Sequence, residues 1–189
     1  LGFSRGYGYQ GGAGRIGWGE RLKKPGFGVD FKRELRIPGP WYMSLGGFGE
    51  ILPYAENTMR LHPKKRDRFG IPQVTFRFEF GENERRHRKD LVEQGVKMLE
   101  AAGASQIQSY NEEMIGGAAI HEMGTARMGQ DPRESVVNEH NQVHAADNVF
   151  VTDGACMTSA SCVNPSLTYM ALTAKAADYA VKRLQAGDI

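Results

Sequence analysis

Two short segments hold side chains that could do chemistry together. The first is His121-Glu122-Met123-Gly124-Thr125-Ala126-Arg127-Met128-Gly129. Gly124 and Gly129 permit a tight backbone path close to a ligand. An imidazole held on such a path can take a proton near neutral pH. A histidine read alone is equally a surface or satisfied core residue. The second segment is Asn164-Pro165, where Asn is a favoured helix cap and Pro a favoured first helical residue. The pair can do no more than start a helix. The backbone N–H groups of Ser166 and Leu167, with the positive end of the helix dipole, could also form an anion site. Asp153-Gly154 closes an apolar run. It reads as a turn, or as a contact to a cofactor's polyol chain at the end of a parallel strand.

Other chemistries find less support. Gly6-Tyr7-Gly8-Tyr9-Gln10-Gly11 matches G-x-G-x-x-G. Residues 1–5 make a poor strand before it, and Gly11-Gly12-Ala13-Gly14 would break a helix after it. A glycine-rich loop packed by aromatics is the reading preferred. His121-Glu122 begins like H-E-x-x-H, but position 125 is Thr. His140 and His144 lead into a strand rather than sharing a helix face, so no metal site is expected. The run 63–68, with Lys64, Lys65, Arg66 and Arg68, reads as a solvated turn. The chain has 24 Lys plus Arg against 22 Asp plus Glu, a net charge of +2 that names no nucleic-acid partner. No run of about 18 apolar residues is present, so no membrane span is expected. Cys156 and Cys162 are expected as free thiols.

The elements that must position these groups follow from periodicity. Residues 1–50 are rich in glycine and aromatics and read as loops with short strands. Strands are expected over 43–53, 58–61 and 73–80. In the last, Val74, Phe76, Phe78 and Phe80 alternate with Thr75, Arg77 and Glu79, as in a half-buried antiparallel strand. Residues 82–102 read as a helix, with Gly103 as its stop. A further strand is expected over 105–110 and a buried one over 148–154. A long helix over 166–184 carries Leu167, Met170, Ala174, Val181 and Leu184 on its apolar side.

Taken in order, the segments resemble one family. His121-x-Met-Gly-Thr-x-Arg-Met-Gly129 is followed by Asp131-Pro132 and Ser135-Val136-Val137-Asn138. Then come Asn148-Val-Phe-Val-Thr-Asp153-Gly154 and Asn164-Pro-Ser-Leu-Thr168, running into Ala171 to Asp178. The series resembles the C-terminal region of the glucose–methanol–choline (GMC) oxidoreductases, densely from about 117 to 183. A thinner likeness reaches back through Gly49-Glu50-Ile51-Leu52-Pro53. Residues 1–45 look more loosely like the sugar and sugar-acid dehydrogenase branch.

The resemblance implies FAD as cofactor and oxidation of a small alcohol (a sugar, sugar acid or polyol) by hydride transfer to flavin N5. It implies His121 as the base and Asn164 as the ligand of the hydroxyl oxygen. Asp153 and Gly154 match the flavin-contacting turn, and Pro165 and Ser166 match the backbone at the flavin's pyrimidine end. A dehydrogenase is favoured over an oxidase. Asn138 stands where many members carry Asp, and the family's N-terminal FAD-binding half is absent from the sequence.

The expected fold is therefore α+β. Residues 1–115 form part of a substrate domain, an antiparallel sheet backed by a helix. Residues 116–189 return to an FAD-binding α/β domain, adding a strand and a long helix. The chain is expected to be a fragment, inactive alone, whose last helix exposes an apolar stripe. The alternative is a non-catalytic structural or interaction module that kept the fold. The catalytic reading requires His121 and Asn164 to converge beside the start of the last helix.

Overall fold

The computed structural model describes residues 2–189 and is α+β with small antiparallel sheets. Its elements are β1 (Tyr7–Arg15), α1 (Trp18–Arg21), α2 (Gly28–Arg36), β2 (Trp41–Gly49), β3 (Thr58–Arg66), β4 (Pro72–Arg77), α3 (Glu82–Ala101) and α4 (Ser166–Ala186). Strand β1 pairs with β2, and β3 with β4. The chain divides into two compact units. One comprises the residues up to Tyr7, Gly49–Arg88 and Glu112–Ile189; the other comprises Gly8–Phe48 and Lys89–Asn111.

In the second unit, the glycine-rich start is a nine-residue strand rather than a loop, and two helices follow it. Glycine hid this strand, because it leaves no side chain to mark the two-residue period. The G-x-G-x-x-G residues run into β1, which rules out the strand–turn–helix arrangement of a dinucleotide fingerprint. At Gly11 the glycine is sterically required, since a Cβ would lie 2.1 Å from the Ser44 carbonyl oxygen. Gly95 of α3 makes room for the Tyr9 ring, whose hydroxyl donates to the Leu91 carbonyl. Residues 105–110 form no strand. Gln106 takes a left-handed φ of 60° there, which interrupts extended backbone.

The first unit carries the β3–β4 hairpin, antiparallel with Met59 opposite Phe76 and Leu61 opposite Val74. The apolar face was expected to be half-buried, but Phe76 is 69% exposed. The basic run is the end of β3 and the hairpin tip, not a free turn. Asp67 closes that tip by accepting from the N–H groups of Phe69 and Ile71 at 2.8 and 2.9 Å.

Helix α3 begins on a hydrogen-bond hub. Glu84, 5% exposed, accepts from Leu52 N at 3.1 Å and Asn83 Nδ2 at 3.1 Å through one oxygen. Its other oxygen accepts from Tyr54 Oη and Gly81 N, both at 2.9 Å. The Gly81 bond is half of a capping box, with the glutamate reaching back to the residue before the helix. The helix ends where expected, at Gly103 with φ +81°.

Residues from 124 to 157 pack around fully buried Val137, Asn141 and Cys156. Single bridges join Met128 to Val137, Val137 to Val143 and Gln142 to Phe150. The expected buried strand at 148–154 is therefore one bridge at Phe150, with no neighbouring strand to extend a ladder. Backbone bonds from Val143 N to Val149 O and from Val151 N to Asn141 O, both 2.9 Å, flank that bridge, and side-chain amides add to them: Asn141 Nδ2 donates to Val151 O at 2.7 Å, and Gln142 Nε2 to Asp147 O at 2.6 Å. Helix α4 buries Ala176 but exposes Leu167 (80%) and Met170 (62%), with Ala174 also exposed. The expected apolar stripe is present. No helix among the described residues is long and apolar enough to cross a membrane.

Candidate functional site

His121 sits in a loop between Ile120, at φ +58°, and Gly124, at φ +84°. The loop is tied to the rest of its unit by backbone bonds. Ala126 N donates to Ala155 O at 3.0 Å, and Met128 N to Cys156 O at 2.8 Å. Residues Gly154–Cys156 form a short 3₁₀ turn. Thr173 Oγ1 of α4 donates to Thr152 O at 2.6 Å, which joins α4 to the chain entering that turn. The His121 loop, the 3₁₀ turn and α4 thus form one connected scaffold, and the residue before α4's capping position is Asn164.

The two candidate residues meet. His121 Nε2 stands 3.0 Å from Asn164 Oδ1, across 43 residues of sequence. His121 Nδ1 stands 2.7 Å from the carbonyl oxygen of Ile120. Both ring nitrogens therefore face oxygen acceptors, an arrangement satisfied when both carry protons. A half-turn of the Asn164 carboxamide would present Nδ2–H to an unprotonated Nε2 instead. The Asn–His pair can thus hold the ring in either protonation state.

Asn164 is not the helix cap expected from its type. Pro165 occupies that position, buried, with φ −92° and no side-chain cap. The Asn164 side chain is engaged by His121 instead. The first N–H groups of α4 consequently have no capping side chain. Ser166 Oγ lies 2.8 Å from Tyr169 Oη, within the first turn. Asp153 accepts from Ala155 N at 2.8 Å and so caps the 3₁₀ turn. At Gly154 a Cβ would meet Met123 Sδ at 2.4 Å, so glycine lets the turn lie against a residue two places from His121.

The remaining motif residues have structural work. Asp131 receives both Nε and Nη2 of Arg133, and that ion-paired hydrogen bonding holds its carboxyl below the ordinary value. His144 Nε2 lies 3.0 Å from Ser135 Oγ, and the His140 ring stacks on Tyr179 at 3.8 Å. Among the described residues, no group of three or more His, Cys, Asp or Glu could hold a metal ion. Sequence reasoning missed Glu84 and also Glu50, whose carboxylate accepts from Ser159 Oγ and lies 3.7 Å from Arg5 Nε. For Glu84 the local part is the bond from Gly81, three residues before it, while Leu52 and Tyr54, like Ser159 at Glu50, come from distant segments that give no local signal. A cleft of about 260 Å³ is lined by Met128, Cys156, Met157, Thr158, Ser159 and Leu172. None of the candidate residues lines it.

Cys156 and Cys162 are both free thiols, the first buried and the second partly exposed. Burial pushes the Cys156 thiol up, against a hydrogen bond from Asn141 that lowers it, and the Asp153 charge adds to the rise. The thiolate is the reactive form. A disulfide reagent is therefore expected to label Cys162 in the folded protein and Cys156 only after denaturation. Equal labelling rates, read by mass spectrometry of the peptides, would contradict the packing described.

Comparison with known proteins adds a family and relatives. A family model described as GMC oxidoreductase matches residues 53–173. The 2-methyl-1,2-propanediol dehydrogenase of Mycolicibacterium austroafricanum is 35% identical over 139 residues, 72% of this chain and 24% of the relative. The fructose dehydrogenase large subunit of Gluconobacter japonicus is 30% identical over 143 residues, covering 73% of this chain and 25% of the relative. A pyranose 2-oxidase of Tricholoma matsutake is 30% identical over 181 residues, 88% of this chain and 31% of the relative. The chain thus spans about a quarter to a third of the length of these relatives.

Proposed function

The chain belongs to the GMC oxidoreductase family, and from that premise we propose that it carries the alcohol-activating side of an FAD-dependent oxidation of a CH–OH group. The relatives are named for a diol, a ketohexose and pyranoses, so a sugar, sugar acid or polyol is the proposed substrate. The observation that carries the reading is the 3.0 Å approach of His121 Nε2 to Asn164. Two polar side chains from distant segments meet there, beside the start of a long helix.

The chemistry of the donors fits a flavin. Helix α4 opens without a side-chain cap, and Leu167 in its first turn is exposed. Free N–H groups at a helix N-terminus favour negative charge. Pro165 and Ser166 would hold the pyrimidine end of the flavin there, with Asp153 and Gly154 at the adjoining turn. FAD supplies the two-electron hydride acceptor when bound. The exposed apolar face of α4 is where the rest of a flavin-binding domain would pack.

The protein's own part is proton handling and orientation. Asn164 Nδ2 donates to the alcohol oxygen and fixes the carbinol C–H direction. His121 Nε2 accepts the hydroxyl proton as the C–H bond breaks. Asn164 Oδ1 can then accept from the protonated ring, as in the geometry observed. Positioning of this kind lowers the barrier mainly by removing the cost of alignment.

The proposal is tested by anaerobic flavin reduction in the holoenzyme with a panel of sugars, sugar acids and polyols. At least one is expected to bleach the flavin. Asn164→Ala is expected to raise KM for that substrate and lower kcat about tenfold or more, as loss of an orienting hydrogen bond requires. Failure of the whole panel, or an unaffected Asn164→Ala, would contradict the reading.

A further inference from the structure

We propose that Glu50 is a positioning residue, which holds the loop that delivers Asn164 to the substrate hydroxyl. The inference rests on the proposed alcohol oxidation and adds a residue to it. Glu50 follows β2, and its side chain is 13% exposed. One carboxylate oxygen accepts from Ser159 Oγ, across 109 residues of sequence. The other lies 3.7 Å from Arg5 Nε. Arg5, Glu50 and Ser159 belong to the same compact unit as His121 and Asn164.

The loop runs from 158 to 164, between the 3₁₀ turn and α4. Both of its ends are fixed. Met157 N donates to Gly154 O at 3.1 Å, and Pro165 is buried at the head of α4. Between them, among the described residues, no backbone hydrogen bond reaches another segment. Two side-chain bonds do, Ser159 to Glu50 and Asn164 to His121. The first spreads its hold along the loop. Ser159 Oγ donates to Glu50 and accepts from Ser161 N at 3.3 Å. Ser161 takes a left-handed φ of 59°, which turns the chain there.

The two bonds differ in what an alcohol does to them. A hydroxyl held by both His121 and Asn164 takes a place between them and opens their direct contact. The Ser159–Glu50 bond stays closed. It then ties the loop to the rest of its unit while Asn164 holds the alcohol oxygen. The helix fixes the chain from Pro165 onward. Asn164 precedes it, and its carboxamide follows the path of the loop. A carboxylate suits the anchoring task, because a charge-assisted hydrogen bond is stronger than a neutral one. A displacement of about 1 Å at an orienting group is enough to cost ~10²-fold in rate.

The test takes two readouts from flavin-loaded protein. A nitroxide attached to Cys162, which is partly exposed in the same loop, reports loop motion, with Cys162→Ala as the blank. Glu50→Ala and Ser159→Ala are expected to narrow the spin-label line. Glu50→Gln keeps an oxygen for Ser159 and is expected to restore most of the parent's line and rate. Flavin reduction in Glu50→Ala is expected to need more alcohol for half-saturation and to reach a lower limiting rate, about tenfold in their ratio, with flavin content unchanged. Added to Asn164→Ala, the same change should cost less than about twofold, because a residue acting through Asn164 has nothing left to position. A line unchanged in both alanine variants would overturn the proposal, as would an equal rate loss with and without Asn164. Ser159→Ala decides alone if Glu50→Ala does not fold. Unchanged flavin reduction in Asn164→Ala would instead sink the catalytic reading, and a narrowed line would still leave the Glu50 anchor standing.

Discussion

His121→Ala is expected to keep its flavin and to lose reduction of that flavin by substrate about 10²–10⁴-fold, the usual scale for a general base. The size of the effect follows from the site's economy. In the proposed reaction His121 Nε2, 3.0 Å from Asn164 Oδ1, accepts the proton, and an alanine would leave water to do that work. Flavin content should not change, because the proposed flavin contacts lie at the 3₁₀ turn and the start of α4, not on the imidazole. Rapid-mixing absorbance under anaerobic conditions separates the two quantities. Loss of flavin along with the rate would instead mark His121 as a structural residue. Asn164→His is a milder change, since an imidazole can still donate to the hydroxyl oxygen, and it is expected to retain more activity than Asn164→Ala.

The second large effect is on stability. Glu84→Gln is expected to cost about 3 kcal/mol, because it turns an amide N–H₂ toward groups that are themselves donors. The carboxylate serves four donors, on Leu52, Asn83, Tyr54 and Gly81. In a protein of this size that loss lowers Tm by roughly 10 °C. The pH dependence has a definite sign. Burial alone would raise the Glu84 carboxyl, but the bonds from Leu52, Asn83 and Tyr54 outweigh it and hold the group below its ordinary value. The folded value therefore lies under the unfolded one. The stability Glu84 contributes is fully present above the unfolded carboxyl range, near pH 4.3, and is lost as pH falls through the folded value. Thermal melts from pH 7 down to 3 should show Glu84→Gln with a flatter acid limb than the parent protein. Equal slopes would mean that Glu84 is not the buried acceptor described.

What could be read in advance divides along physical lines. The helices α3 and α4 were legible because their apolar spacing and their stop signals are local, and Gly103 ends α3 as its type suggests. The hairpin strands were legible from alternation, though not the exposure of Phe76, which depends on what covers the sheet. Strand β1 was not legible, because Gly11, Gly12 and Gly14 erase the period that marks a strand. Residues 148–154 misled in the opposite direction. An apolar run looks like a buried strand, yet a strand needs an extended partner, and here the pairing stops at a single bridge between Gln142 and Phe150, reinforced by the side-chain amides of Asn141 and Gln142. Of the candidate site, the resemblance carried by the ordered motifs pointed to His121 and Asn164. It did not show that Pro165, not Asn164, occupies the capping position. That is a tertiary fact, decided by His121 reaching the amide. Half of the hub at Glu84 was invisible for the same reason, because its donors Leu52 N and Tyr54 Oη come from outside the helix and its flanks.

The central claim is that His121 and Asn164 together hold one hydroxyl, and a structure of the flavin-loaded protein with a slowly reacting alcohol tests it most directly. The account predicts a hydroxyl oxygen about 3 Å from both His121 Nε2 and the Asn164 carboxamide, the reach of a productive proton transfer. An alcohol bound with its hydroxyl against other side chains, and the His121–Asn164 bond still closed beside it, would contradict the account.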